Sequence, residues 1–218
     1  MGRDPYCAGS FSNMMSKTHL AVGVAACLAA APATVEGLSY ALMGGAVGSL
    51  ICDIDRSSER PSRDIKQGWA LAFTVFFAGF MHESYTYWQT FKAEHLLSDP
   101  LKLVCLGSLL VLYLFAISGA HRGFSHSLLL CVSSAVLIYF LSKQTCLFYL
   151  IGFLTHLLLD VLNKKPVRVL FPARGICLGW FYADGLANRI LLLLGLSASA
   201  GLLMVKFQVY GNILQIVR

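Results

Sequence analysis

Seven residues able to ligate a metal or move a proton stand at the edges of apolar runs in this 218-residue chain. His19 opens the first run, and Asp53 and Asp55 close the second. His121 and His126 lie between the fourth and fifth, and His156 and Asp160 sit near the end of the sixth. The spacings carry chemistry. His156 and Asp160 are four apart, so on a helix they stack on one face and can grip one ion. They are embedded in Leu154-Thr155-His156-Leu157-Leu158-Leu159-Asp160, where an unpaired carboxylate is costly. Ionisable groups inside a membrane segment are functional candidates by default. Asp53 and Asp55 are two apart; in an extended segment both carboxylates point the same way, as a pair sharing a cation does. His121-Arg122-Gly123-Phe124-Ser125-His126 sets two imidazoles around a glycine turn. Ser125 is the expected cap of the fifth helix, with His126 in its first turn. Imidazole and carboxylate together favour zinc, manganese or iron over calcium.

Each piece alone has a plainer reading. His19 can be an interfacial residue, Asp53 and Asp55 solvated loop acids, His156 and Asp160 a hydrogen bond within a helix, and His121 and His126 surface imidazoles. Arg122 reads equally as an anchor at the membrane edge or as a clamp on phosphate. What favours a shared metal site is where the chain must place them all.

Composition dictates the elements that do the placing. Hydrophobic residues make up 57% of the chain and charged residues 13%, with mean hydropathy +0.68. A soluble domain carries about 25% charged residues. Disorder, a nucleic-acid coat and most soluble enzymes are thereby excluded, and an integral membrane protein is indicated. Apolar runs fall at about 19–31, 36–52, 67–81, 101–119, 127–142, 146–162 and 186–205. Several are shorter than the roughly 20 residues of a full span. The expectation is an all-α, polytopic transmembrane bundle of about seven apolar segments, some short or re-entrant. No alternating segments suggest a β-barrel. Residues 1–17 read as a polar extension without the pattern of a cleavable signal, 18–206 as one membrane-embedded helical domain, and 207–218 as a short tail. Pro32 and Gly37 separate the first two runs, and Lys143-Gln144 the fifth and sixth. The seven cysteines are an odd number without a C-x-x-C pair; Cys27, Cys105, Cys131 and Cys146 lie in apolar runs and read as small buried apolar residues, not a disulfide framework.

If the runs cross in order, residues 1–18, 53–66, 120–126 and 163–189 share one face. Of the 17 Lys and Arg, 12 then lie on that face: Arg3, Lys17, Arg56, Arg60, Arg63, Lys66, Arg122, Lys164, Lys165, Arg168, Arg174 and Arg189. The positive-inside rule puts that face in the cytoplasm. The net charge of +6 therefore reports orientation and anionic lipid, and no nucleic-acid partner is expected. All four His and three Asp named above fall on the same face, whereas His82 and His95 fall on the other.

These blocks resemble the family of LexA-regulated, membrane-bound metal-dependent hydrolases, the YdjM-like inner-membrane proteins. The resemblance rests on Thr18-His19, on Gly48 to Asp55, on His121-Arg122-Gly123-Phe124-Ser125-His126-Ser127, on Gly152 to Asp160, and on Pro172, and spans residues 17–175. Cys52 stands where the family usually has Pro, and Ser125 where it has Thr; neither removes a ligand. The resemblance implies a bacterial inner-membrane protein with a metal site, and a hydrolase by motif. The reading that follows is a membrane-embedded hydrolase with a cytoplasm-facing site. His19, Asp53, Asp55, His121, His126, His156 and Asp160 are the expected ligands. Seven ligands exceed one tetrahedral zinc and suit two divalent transition-metal ions, zinc or manganese with iron as a further option. Asp53 or Asp55, where uncoordinated, is the expected general base, Arg122 the phosphate clamp, and Ser125 and Ser127 hydrogen-bond partners of the ligands. A site at headgroup depth suits a phosphoester or other ester of a lipid or amphiphile. The alternatives are a metal-ion transporter or sensor, marked by ligands strung across the bilayer, and a non-catalytic protein whose metal ties helix ends together.

Overall fold

The structure is a computed structural model that describes residues 15–55, 63–88, 99–118, 122–180 and 185–216. Seven α-helices follow one another: α1 (Ser16–Ala30), α2 (Val35–Leu50), α3 (Arg63–Trp88), α4 (Pro100–Ser118), α5 (Leu128–Leu141), α6 (Lys143–Leu162) and α7 (Leu186–Ile216). Single 3-10 turns occupy Ile51–Asp53 and Phe124–His126. Among the described residues the only β pairing is one isolated bridge, Val167 with Ile176. Among the described residues four segments are long and apolar enough to cross a membrane: Val35–Asp53, Pro100–Ser118, Lys143–Leu162 and Leu186–Asn212. Ser16–Ala30, Ile65–Phe80 and Leu128–Leu141 are apolar but shorter. At 1.5 Å per residue α1 and α5 reach only about 21–23 Å, against roughly 30 Å of hydrocarbon.

Capping chemistry sets the breaks. The Thr34 side chain accepts from Gly37 N at 3.1 Å, so α2 begins before Gly37, which lies inside its first turn. Ser142 alone separates α5 from α6 and accepts from Thr145 N at 3.2 Å. Lys143 and Gln144 are already helical, because one hydroxyl suffices to start the new helix. Ser127, not Ser125, caps α5, accepting from Leu130 N at 3.2 Å. His126 thus precedes α5 in a 3-10 turn, which leaves Ser125 free to act elsewhere. Helix α7 continues through Ile216, into the stretch expected to be a tail.

Contacts fix the helix directions. Gly68 of α3 meets Ser16, and Gly79 meets Ser39 and Met43. Cys146 Sγ of α6 reaches Ala135 O of α5, and Lys206 Nζ of α7 reaches Ala29 O and Ala31 O beyond α1. Successive helices therefore alternate in direction, and the beginnings of α1, α5 and α7 share one end with the ends of α2 and α6. The tightest crossing is α2 on α6. A Cβ on Gly48 would strike Tyr149 O, and one on Gly152 would come within 3.0 Å of Gly45 O and Ser49 N. Without side chains the two backbones approach closely, the small-residue mode of membrane helices. The main apolar core, with Cys52, Leu130, Tyr149, Phe153 and Leu157, forms around that crossing.

Residues 163–180 close the end shared by α5 and α6. Leu178 N, Gly179 N and Trp180 N donate to Val161 O, Asn163 O and Leu162 O, which occupies carbonyls that α6 leaves open at its end. Leu128 N at the start of α5 donates to Val169 O at 2.9 Å. Cys27, Cys52, Cys105, Cys131 and Cys146 are free and buried, as small apolar residues are. Cys177 departs from that reading: it is disulfide-bonded.

Candidate metal centre

Six of the seven expected ligands fall among the described residues; His121 lies outside them. Helix α1 supplies His19, one turn in, beside Ser16. The 3-10 turn that ends α2 supplies Asp53, with Asp55 just beyond. The turn before α5 supplies His126, and α6 supplies His156 and Asp160. All are buried, none more than 3% exposed. His156 lies six residues before the end of α6, about 9 Å inside the bundle.

The imidazoles pack together. His19 and His156 stack with centroids 3.9 Å apart, and His126 meets His156 edge-on at 5.3 Å. Their hydrogens are assigned by their neighbours. His156 Nδ1 lies 2.6 Å from Ser49 O, an acceptor only, so Nδ1 carries the hydrogen and Nε2 the lone pair. The glycine crossing of α2 and α6 brings that carbonyl there. Ser125 Oγ donates to Asp55 Oδ2 at 2.5 Å, so it can only accept from His126 Nδ1 at 2.9 Å. His126 Nε2 therefore also presents a lone pair. It faces Asp160 Oδ2 at 3.3 Å and Asp53 Oδ1 at 3.8 Å. His156 Nε2 faces Asp160 Oδ2 at 3.7 Å, and His19 Nε2 faces Asp160 Oδ1 at 3.6 Å.

Acceptors thus point at acceptors in a buried space. Two donors bound to one ion at about 2.1 Å stand about 3.0–3.4 Å apart in cis positions. The observed separations lie at or just above that range, so the residues fit a cation. They group as His19, His156, Asp160 and as Asp53, His126, His156, each with ligand atoms within 4.8 Å of one another. The two groups share His156, whose second nitrogen is already spent on Ser49.

Asp55 and Arg122 stand elsewhere than a ligand count suggests. Asp55 is in neither group and faces Ser125. Arg122 donates through Nη2 to Asp160 Oδ1 at 2.6 Å and through Nη1 to Lys165 O at 2.7 Å. It is 7% exposed, and its φ of 62° is left-handed, a conformation that costs a side-chain-bearing residue about 1–2 kcal/mol. Its guanidinium orients a candidate ligand, an arrangement that spacing alone does not foretell. Ser16 was not among the expected residues either; its Oγ donates to Asp53 Oδ2 at 2.8 Å. The available signal was a hydroxyl one turn before His19 on an otherwise apolar helix.

The sequence profile of the YdjM inner membrane protein family matches residues 14–213. The chain belongs to that family. No curated protein and no solved structure matches it. The match to YdjM covers every helix that contributes to the centre, from Ser16 of α1 to most of α7. Membership makes this an inner membrane protein, in keeping with its four span-length apolar helices.

Proposed function

We propose that the chain is a membrane-embedded, metal-dependent hydrolase that acts on a phosphoester or other ester of an amphiphile at the membrane surface. The observation that carries the metal reading is the meeting of lone pairs: His126 Nε2 and His156 Nε2, their other nitrogens occupied, both face Asp160 Oδ2. A metal cation between such groups relieves their repulsion, as a proton on one of the imidazoles would. His19, Asp53, His126, His156 and Asp160 are the proposed ligands. Because His156 has one nitrogen to give, these five suit one ion, zinc or manganese, better than two. A second ion would need Asp55 turned from Ser125 and a contribution from His121.

When bound, the ion would supply Lewis-acid polarisation of a phosphoryl or acyl oxygen and would acidify water. The chain's own residues do the rest. Ser49 O and Ser125 hold two imidazoles in the ligating tautomer. Arg122 holds Asp160 and presents Nε, which has no hydrogen-bond partner, as a further donor for an anionic oxygen. Asp55, hydrogen-bonded but outside the ligand groups, is the carboxylate left to accept a proton, 3.8 Å from His126 Nδ1. Hydrolysis is tested with purified protein and added Mn or Zn. A phosphoester of an amphiphile should be cleaved faster than a soluble phosphoester. Metal flux into proteoliposomes without hydrolysis of any phospholipid or lipid phosphate would put a transporter in its place.

One observation favours a second reading, a metal that only ties helix ends together: every proposed ligand is buried. A coordination shell filled by protein alone, seen in the spectrum of the cobalt-loaded protein, would establish it. As to orientation, the 12-to-5 split of Lys and Arg expected from the crossing order supports a site facing the cytoplasm. The bridge at Cys177 pulls the other way, since disulfides persist outside the cytoplasm. A cysteine at Ser57 should react only with reagent that enters the cell, and one at Ala93 with reagent outside.

A further inference from the structure

Three buried polar side chains beside the proposed centre take no part in it. Leu159 of α6 packs against Val22 of α1 and Leu191 of α7, so three helices meet there. Gly195 seats α7 on the backbone of Ala21 and Val22, which fixes the pair of helices one turn further on. One turn from this junction, toward the end that holds the histidines, α1 and α7 each carry a polar residue on the same face, and Asn163 is the residue that follows α6. Thr18 lies four before Val22, Asn188 three before Leu191, and Asn163 four after Leu159. All three are 0% exposed.

Their polar atoms are largely unspent. Thr18 Oγ1, Asn163 Nδ2 and both amide atoms of Asn188 have no hydrogen-bond partner, and neither has His19 Nδ1, on the same turn as Thr18. Asn163 Oδ1 alone is used, accepting from Lys164 N at 2.7 Å. Buried amides and hydroxyls are nearly always paired, so several unspent ones on three converging helices mark a place where something else pairs with them. A single buried water makes about three hydrogen bonds, fewer than these groups offer. Amide and hydroxyl both donate and accept, and neither carries charge. An ion would find no counter-charge among them, whereas hydroxyl groups match both functions. Leu186, Ile190, Leu193 and Leu194 of α7 are exposed on the side of the helix away from Asn188, an apolar surface on which a lipid chain can lie.

We propose that the α1–α6–α7 junction binds the uncharged, hydroxyl-bearing headgroup of a membrane amphiphile. The site stands whether or not the neighbouring histidines hold a metal. The probe is 1-monooleoylglycerol, added to full-length protein in an amine-oxide detergent that has no hydroxylated headgroup. The protein should retain one molecule in native mass spectrometry and melt at a higher temperature, while methyl oleate does neither. Asn188→Leu should lower monooleoylglycerol affinity about tenfold, the loss of one or two hydrogen bonds. It should melt no lower than wild type without the probe, since an unpaired buried amide has been removed, and it should keep its metal content. Thr18→Val, nearly isosteric, is the second variant should Asn188→Leu fail to fold, with the same direction expected. Free glycerol in excess should displace the probe, which supports recognition of the hydroxyls themselves. No retention by wild type overturns the proposal, as does retention that both variants leave unchanged or a glycerol-insensitive complex.

Discussion

Helices α2 and α7 are both long and apolar enough to cross a membrane, yet the fold uses them in opposite ways. Of the best apolar window, 72% is buried for the α2 segment and 6% for the α7 segment. Mean hydropathy runs opposite to burial, 1.4 for the α2 segment against 2.1 for the α7 segment, because lipid tails solvate apolar side chains as well as a protein core does. Small residues separate them. Along α2, a Cβ on Gly44, Gly45 or Gly48 would meet α1 or α6, whereas on α7 only Gly195, which sits against Ala21 and Val22, makes such a contact and Gly201 and Gly211 have nothing within 4 Å. Hydroxyls on the two helices behave alike: Ser39 and Ser49 of α2 donate back to Val35 O and Gly45 O of their own helix. Ser197 and Ser199 of α7 donate back to Leu194 O and Gly195 O of their own helix. Ser16 and Ser125, around the end of α2, donate across the fold to Asp53 and Asp55. In this bundle close backbone contact with other helices marks the functional side, and the more apolar segment is the one left to lipid.

The largest effect that tests this contrast comes from filling a glycine on each helix. Gly48→Leu should drive α2 off α6 and remove the Ser49 carbonyl from His156, costing about 3 kcal/mol or more. Thermal unfolding in detergent reads this. Gly201→Leu on α7 should change the midpoint little, and equal losses in the two variants would break the comparison. Next in size is Arg122→Ala, which leaves Asp160 buried without its partner, a change that costs about 3–5 kcal/mol. Arg122→Lys should recover part of the stability while still impairing phosphoester turnover, because one ammonium cannot hold Asp160 and Lys165 O with the same fork.

The smallest effect is the sharpest on mechanism. Ser125→Ala cuts the link from Asp55 to His126 and should weaken metal affinity about tenfold, the usual size for a group that orients a ligand. Ser125→Thr should restore it, because the hydroxyl returns. Ser197→Ala on α7 should leave affinity unchanged. A loss in Ser125→Ala that Thr does not rescue would mean that packing, not the hydroxyl, holds His126.

Much of this was legible in the chain. Each apolar run became a helix, since a membrane leaves a chain few other ways to satisfy its backbone. The i,i+4 pair of His156 and Asp160 and the shared face of His19, Asp53 and His126 followed from helix geometry and alternating crossings. What spacing could not give was how each polar atom is used. The Ser49 carbonyl that fixes His156 is a backbone group and leaves no trace in residue type. Arg122 looks the same in sequence whether it awaits a phosphate or holds Asp160. Asp55 is two residues from Asp53, but the chain is in 3-10 and helical turns there, not extended, so the two carboxylates diverge. Residues 163–180 follow no helical or strand period, so their backbone hydrogen bonds to α6 and α5 could not be foreseen.

The most direct test of the central claim is the metal content of detergent-purified protein, by elemental analysis with stoichiometry. Wild type should hold about one equivalent of a divalent transition metal, as five ligands with a shared His156 imply. His156→Ala and Asp160→Asn should each lose most of it, and His82→Ala should lose none. Wild type without metal after growth with zinc and manganese would contradict the account, and so would equal occupancy in wild type, His156→Ala and Asp160→Asn.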